Sequence, residues 1–356
     1  YAKDLEQAGE QALDAGVDMD LQGAVFLEHL GDSLTQGRVT MDQVDTATRR
    51  VLEMKYRLGL FEDPYRYADE ARQEATLYKP EFLEAARDVA RKSMVLLKND
   101  GETLPLVAGA QRIGLIGPLA DSKPDMIGSW AAAGDRQTRP VTVLEGLEAR
   151  AGDGVRVEYA KGASYEFADA GKTDGFAEAL AVANRSDVIV AVMGEKWDMT
   201  GEAASRTSLD LPGNQQALLE RLVATGKPVV LVMMSGRPNS ITWADENVPA
   251  ILHAWYPGTQ GGHAVADVLF GDYNPSGKLP VTFPVNVGQA PIHYDMKNTG
   301  RPIELGEPGA KYVSRYLNTP NAPLYRFGYG LSYTGFSYSP VSLSAPSMGA
   351  GGSITA

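Results

Sequence analysis

The sequence predicts an α/β protein built on an open, largely parallel sheet, and three features carry that expectation. Apolar runs rich in Val and Ile occur at Arg112–Gly117, Val155–Tyr159, Asp187–Gly194, Pro228–Gly236 and Ala250–Tyr256. Continuous Val/Ile-rich runs of this length imply strands buried on both faces. Helical or turn segments separate them, with helices expected at Phe176–Ala183, Asn214–Ala224 and His263–Phe270; strands that alternate with helices form parallel sheets through crossover connections. The third feature is a helical stretch ahead of the first run that ends in the turn-rich Glu62-Asp63-Pro64-Tyr65, where a chain leaves one domain for the next.

From the start of the chain, Tyr1 to Ala15 has a polar helical pattern that Gly16 interrupts. Val17, Met19 and Leu21 then alternate with Asp18, Asp20 and Gln22, which predicts a short strand. Thr40 with Gln43 makes a capping box, and Met41, Val44, Ala47, Val51, Met54 and Leu58 follow at helical spacing until Gly59. Pro80 opens a helix through Ser93, and the short apolar run Met94–Leu97 reads as a connector packed on the next domain. After Gly271 the chain turns rich in Gly, Pro, Tyr and Asn and is expected to wrap a surface as far as about Tyr338. Tyr1 is not preceded by a Met or a signal-like segment, and Ser347–Ser353 reads as a small-residue linker, so the chain is expected to be a piece of a longer protein.

Composition excludes several function classes. The 356 residues carry 33 Lys plus Arg against 45 Asp plus Glu, a formal charge of −12, which argues against a nucleic-acid partner. No long uncharged apolar run suggests a membrane span. Cysteine is absent, and His29, His253, His263 and His293 lack the spacing of a metal site, so neither metal nor cofactor is expected. Gly271–Leu279 is no phosphate loop, because it follows a helix and has Leu279 where Ser or Thr would hold magnesium; Gly258-Thr259-Gln260-Gly261-Gly262 reads as a tight strand-to-helix connection. Ser235 lacks the context of a nucleophile elbow.

Ligands of open α/β sheets bind beyond the carboxyl ends of the strands. The loop there after Val188–Met193, Gly194-Glu195-Lys196-Trp197-Asp198-Met199-Thr200-Gly201-Glu202-Ala203-Ala204-Ser205-Arg206-Thr207, combines two glutamates, an arginine, a tryptophan and two glycines. From composition alone it reads as a solvated charged loop with Glu202 paired to Arg206; a catalytic carboxylate is the alternative.

Longer stretches resemble a known family. Lys55-Tyr56-Arg57-Leu58-Gly59-Leu60-Phe61-Glu62-Asp63-Pro64-Tyr65 is similar to the end of the barrel domain of glycoside hydrolase family 3. Leu96-Leu97-Lys98-Asn99, Ile116-Gly117-Pro118-Leu119-Ala120, Gly128-Ser129-Trp130, Gly226-Lys227-Pro228, Gly236-Arg237-Pro238, Ala266 to Pro280 and Tyr325 to Thr334 resemble its second domain, with the bacterial periplasmic β-glucosidases as the nearest type. The resemblance implies the C-terminal end of a (β/α)8 barrel over 1–65, an inter-domain connector over 66–110, an α/β sandwich domain over 111–285, an extended wrapping segment over 286–340, and a linker with the start of a fibronectin type III-like domain over 341–356.

It further implies a retaining exo-acting β-D-glucosidase, periplasmic or secreted, that needs no cofactor and acts on β-linked oligosaccharides or aryl glucosides. Such enzymes use a nucleophile and an acid/base carboxylate about 5 Å apart. The family's nucleophile is a barrel-domain Asp that no residue here matches, so the missing N-terminal barrel portion is an implied partner and this chain alone is expected to be inactive. A homodimer is compatible with the resemblance. Thr200-Gly201-Glu202-Ala203 with Ser205-Arg206 resembles the acid/base loop and assigns Glu202 as acid/base; Glu195, at the strand end, is the competitor and is expected to be structural. Arg206 either orients the loop or forms a plain salt bridge. Trp130 resembles a tryptophan beside the leaving-group site, against the alternative of a core-edge tryptophan; Ala131-Ala132-Ala133-Gly134 offers no second one. A β-xylosidase or mixed-specificity glycosidase is the alternative within the class, and a non-catalytic sugar- or nucleotide-binding α/β protein the alternative outside it.

Overall fold

A computed structural model describes residues 1–106, 111–131, 135–152, 154–297, 300–302 and 310–355. The chain forms two compact units, Tyr1–Lys79 and Pro80–Ala356.

The first unit holds α1 (Leu5–Asp14), α2 (Val25–Thr35), α3 (Met41–Arg57) and α4 (Glu70–Thr76). The capping box forms as expected, with the Thr40 side chain and Gln43 satisfying each other's backbone amides, and Gly59 (φ +69°) ends α3. Leu13, Val39 and Ala47 make a small core with Phe26, Leu30, Leu34 and Val44. The strand expected over Val17–Leu21 is not formed: these residues run as coil with Val17, Met19 and Leu21 exposed. A strand needs a neighbour to pair with, and this unit has no other strand among its described residues. Asp20 instead caps the entry to α2, accepting from the amides of Gly23 (2.9 Å) and Val25 (2.6 Å), and Asp18 pairs with Arg50 (3.0 Å).

The second unit is the open, mostly parallel α/β sandwich. In chain order it contains α5 (Pro80–Ser93), β1 (Val95–Asn99), β2 (Gln111–Ile116), α6 (Lys123–Ile127), α7 (Val143–Arg150), β3 (Val155–Ala160), α8 (Phe176–Arg185), β4 (Val188–Gly194), α9 (Gln215–Val223), β5 (Val229–Met234), α10 (Thr242–Asn247), β6 (Ala250–His253) and α11 (Gly261–Leu269). The sheet order is β1-β6-β5-β4-β2-β3, all neighbours parallel except β1, which runs antiparallel to β6. The Met94–Leu97 run is therefore largely sheet, not connector. The division between the compact units falls at Lys79/Pro80, so the stretch 66–110 contributes α4 to the first unit and α5 and β1 to the second.

Successive residues of each strand point to opposite faces; in β4, β5 and β6 both faces are buried, whereas β3 at the sheet edge is only partly so. Val188, Val190 and Val192 pack with α5, α7 and α11 residues such as Ala90, Leu147 and Val265, while Ile189, Ala191 and Met193 pack with Ala179, Leu218 and Ala244 of α8, α9 and α10. At about 1.5–3 kcal/mol per fully buried aliphatic side chain, this double core is what fixes the strand ends that carry the loops. The Gly258–Gly262 connection is tight as expected: the Val141 amide donates to Thr259 (2.9 Å), and a Cβ on Gly262 would meet the Thr142 carbonyl at 1.9 Å.

Parts of the later segment pack against the sheet. Phe283 and Tyr325 bridge each other and enter the α8–α10 side of the core; Leu331 bridges Leu96 of β1, and the Tyr333 hydroxyl donates to Val268 (2.8 Å). Over 341–355 no strand forms.

Candidate active site

The strand order itself points to a site. Chain order β2, β3, β4 becomes sheet order β3-β2-β4, so the connections leaving β2 and β4 depart to opposite sides and open a crevice beyond the carboxyl ends of these two strands. Trp130 belongs to the segment after β2, and Glu202 to the loop after β4. Both strands exit through glycines. Gly117 (φ +135°) and Gly194 (φ +142°) have conformations that L side chains rarely adopt, and a Cβ on Gly194 would stand 1.8 Å from the Met234 carbonyl oxygen.

Glu195 follows directly and is completely buried. Its Oε1 accepts from Arg206, and its Oε2 accepts from Arg237 Nε (3.0 Å) and Ser235 Oγ (2.8 Å). This corrects the pairing expected between Glu202 and Arg206: the Arg206 side chain, 8% exposed, is spent on Glu195 and on the Asp210 carbonyl (2.9 Å). Arg237 also reaches the loop backbone, its Nη2 donating to the carbonyls of Met199 and Ala204 (2.9 Å for the latter).

The upper part of the loop is joined to the segment after β2. Ser129 Oγ and Thr200 Oγ1 lie 3.0 Å apart, and the Tyr256 hydroxyl lies 3.1 Å from the carbonyls of both Glu195 and Lys196. Asp125 accepts from the Trp197 amide (2.6 Å); burial pushes its carboxyl above the usual range, against the Ser122 and Trp197 hydrogen bonds that hold it down. Arg136 lies over the Trp197 ring at 4.3 Å and donates to the Gly128 and Ser129 carbonyls.

Glu202 is exposed at the tip, between Gly201 (φ +93°) and Ala203 (φ +55°), with no ion pair among the described residues. A Cβ on Gly201 would meet Ser129 at 3.0 Å and the Trp130 indole at 3.5 Å, so the acidic tip stands beside an aromatic ring that is 75% exposed. Trp130 is thus a surface tryptophan and not a core-edge one. Of Ala131–Gly134, which offers no second tryptophan, Ala132–Gly134 lie outside the described residues. Among the described residues no cluster has the ligand set of a metal ion.

Sequence reasoning overlooked Arg237 as a member of this group. The available signal was an arginine just past the carboxyl end of β5, the strand that pairs with β4 so that Gly194 and Met234 stand side by side.

Residues 94–333 match the glycosyl hydrolase family 3 C-terminal domain. The chain belongs to glycosyl hydrolase family 3. It is 46% identical to the periplasmic beta-glucosidase of Salmonella typhimurium over 100% of this chain and 49% of that protein, and 39% identical to a beta-xylosidase of Formosa agariphila over 99% and 49%. Among solved structures, the beta-glucosidase of Listeria innocua in complex with isofagomine superposes with a TM-score of 0.85 at 35% identity, covering 96% of this chain and 46% of that one. This family 3 chain spans about half the length of the relatives it matches.

Proposed function

We propose that the protein to which this chain belongs is a retaining exo-acting β-D-glucosidase, periplasmic or secreted, that releases terminal glucose from β-linked oligosaccharides with Glu202 as its acid/base. The observation that carries this reading is a carboxylate with no ion pair among the described residues, at the tip of a braced loop, beside an exposed indole, at the switch point of the sheet. In the first step the Glu202 carboxyl gives its proton to the glycosidic oxygen while the bond from that oxygen to the anomeric carbon breaks and a nucleophilic carboxylate outside this chain bonds to that carbon. In the second, water attacks the anomeric carbon, Glu202 takes the water's proton, and the glycosyl–enzyme bond breaks. Two inversions give retention. Without the nucleophile this chain by itself is inactive. The 39% identity to a protein named a beta-xylosidase supports a pentose-specific or mixed enzyme as the second reading.

The test is Glu202→Ala in the intact gene product, because acid and base roles separate by leaving group. Substrates with poor leaving groups should lose about 10²–10⁴-fold in rate. Activated aryl glucosides should still glycosylate the enzyme and then stall, and added azide, which needs no base, should restore turnover and yield the β-glucosyl azide. Azide rescue of Glu195→Ala but not of Glu202→Ala would move the role to Glu195.

A further inference from the structure

The Glu202 loop has two limbs, and one side chain holds both. Met199 lies on the ascending limb and Ala204 on the descending one, and Arg237 Nη2 donates to the carbonyl of each, while its Nε donates to Glu195 at the base. Glu195 in turn anchors Arg206 at the far end of the loop and is itself fixed by Ser235. Between the two clamped carbonyls lie Thr200, Gly201, Glu202 and Ala203. The tip is a tight turn with two residues in the left-handed region, one of them an alanine, a conformation that persists only where the surroundings over-determine it. Among the described residues, the Glu202 side chain makes no hydrogen bond or ion pair that could hold it in place.

We propose that Arg237 is the positioning residue of the acid/base: by drawing the Met199 and Ala204 carbonyls onto one guanidinium it fixes where the Glu202 carboxyl stands relative to the glycosidic oxygen. This rests on the assignment of Glu202 made above. A planar fork can serve a carboxylate and two carbonyls at once; a lysine ammonium at the same position keeps the charge opposite Glu195 but loses the fork. Because general acid catalysis depends on hydrogen-bond reach, displacement by about 1 Å costs on the order of 10²-fold.

The experiment is Arg237→Lys in the intact gene product, assayed on a series of aryl β-glucosides of graded leaving-group ability. The expected result is a kcat/KM loss of about 10–100-fold for the poorest leaving groups and little loss for dinitrophenyl glucoside, so that the dependence on leaving-group pKa steepens. In a Glu202→Ala background the same Arg237→Lys change should cost nothing further on poor leaving groups, since its effect passes through the missing carboxyl. If Arg237→Lys folds poorly, Glu195→Gln, which removes the charge anchoring the guanidinium while keeping its shape, should steepen the same dependence. An equal loss on every leaving group, in step with the folded fraction, overturns the proposal and leaves Arg237 a structural residue. If Glu202→Ala itself leaves the dependence unchanged, the assignment of Glu202 falls first; if Glu202→Ala steepens it and Arg237→Lys does not, only the positioning role falls.

Discussion

At the base of the loop after β4, Glu195 has no exposed surface and divides its two oxygens among Arg206, Arg237 and Ser235; at the tip, Glu202 is exposed and has no ion pair among the described residues. The two glutamates lie on one loop, yet among the described residues one is held by charge and the other has no charged partner. A buried ion network is poor evidence for net stability, because desolvation offsets much of the attraction. What it contributes here is position: the backbone of the loop is tied to the ends of two adjacent strands, and Glu202 at its tip has no ion pair among the described residues. A carboxylate as heavily engaged as Glu195 would have to break two guanidinium contacts before it could exchange a proton with a substrate.

The largest effect expected from this contrast is on stability. Glu195→Ala leaves one buried and one half-buried guanidinium, Arg206 and Arg237, without their counter-charge and should destabilise the second unit by about 3–5 kcal/mol, whereas Glu202→Ala should change it by no more than about 0.5 kcal/mol. All four tryptophans lie in that unit, so the urea midpoint followed by tryptophan fluorescence reports it alone. Similar midpoints for the two variants would erase the distinction between base and tip.

How far the sequence anticipates this arrangement depends on the range of the interactions. Strands β2, β4, β5 and β6 are legible because each is a largely continuous apolar run, a local property that both faces of the sheet demand, whereas β3 at the sheet edge alternates Val155, Val157 and Tyr159 with Arg156 and Glu158. The capping box at Thr40 and the Gly59 stop are equally local. The false strand at Val17–Leu21 shows the converse: alternation is necessary for a half-buried strand but supplies no partner. Helix α7 was missed although Thr142 and Glu145 form a capping box, because its apolar periodicity is weak over so few residues. The Glu202–Arg206 pair expected of a solvated loop rests on closeness in sequence alone; in the structure Arg206 is taken by the buried Glu195, which lies eleven residues before it, and Glu202 stands exposed. Arg237 meets the loop only through the β4–β5 pairing, a long-range fact that no local pattern encodes.

A smaller effect sharpens what pairing does for a buried ionisable group. His253, at the end of β6, is buried with neither ring nitrogen hydrogen-bonded among the described residues, packed edge-on against Trp255 (4.1 Å) and Phe283 (5.3 Å). Burial pushes its pKa down from 6.5 to about 3. Between these values the unfolded chain binds a proton that the folded chain refuses, so the stability contribution is complete above about pH 6.5 and is lost as the pH falls towards 3. From pH 7 to pH 5 the wild type should lose ~2 kcal/mol through this group. His253→Leu should lack that share of the pH dependence, with the carboxylate contribution common to both proteins. Parallel stability–pH curves would show that His253 binds its proton alike in the folded and unfolded chains, so that burial does not set its behaviour.

The smallest effect belongs to Trp130, which tests whether the tip region is free of structural duty. Its indole is 75% exposed and meets the loop at Gly201, so Trp130→Ala should move the urea midpoint by no more than about 0.5 kcal/mol. Its use under the proposed function is to stack on the leaving group, a contact worth about 0.5–1.5 kcal/mol for an aromatic face. In the intact gene product KM for aryl and oligosaccharide substrates should therefore rise up to about tenfold. The value of kcat should hold within about twofold, the pattern of a contact made equally in the ground and transition states. Loss of kcat on poor leaving groups alone would instead mean that the indole supports Glu202 through Gly201. The tip would then be braced from the side as well as from the base, and the contrast between a fixed Glu195 and a free Glu202 would have to be redrawn around Trp130.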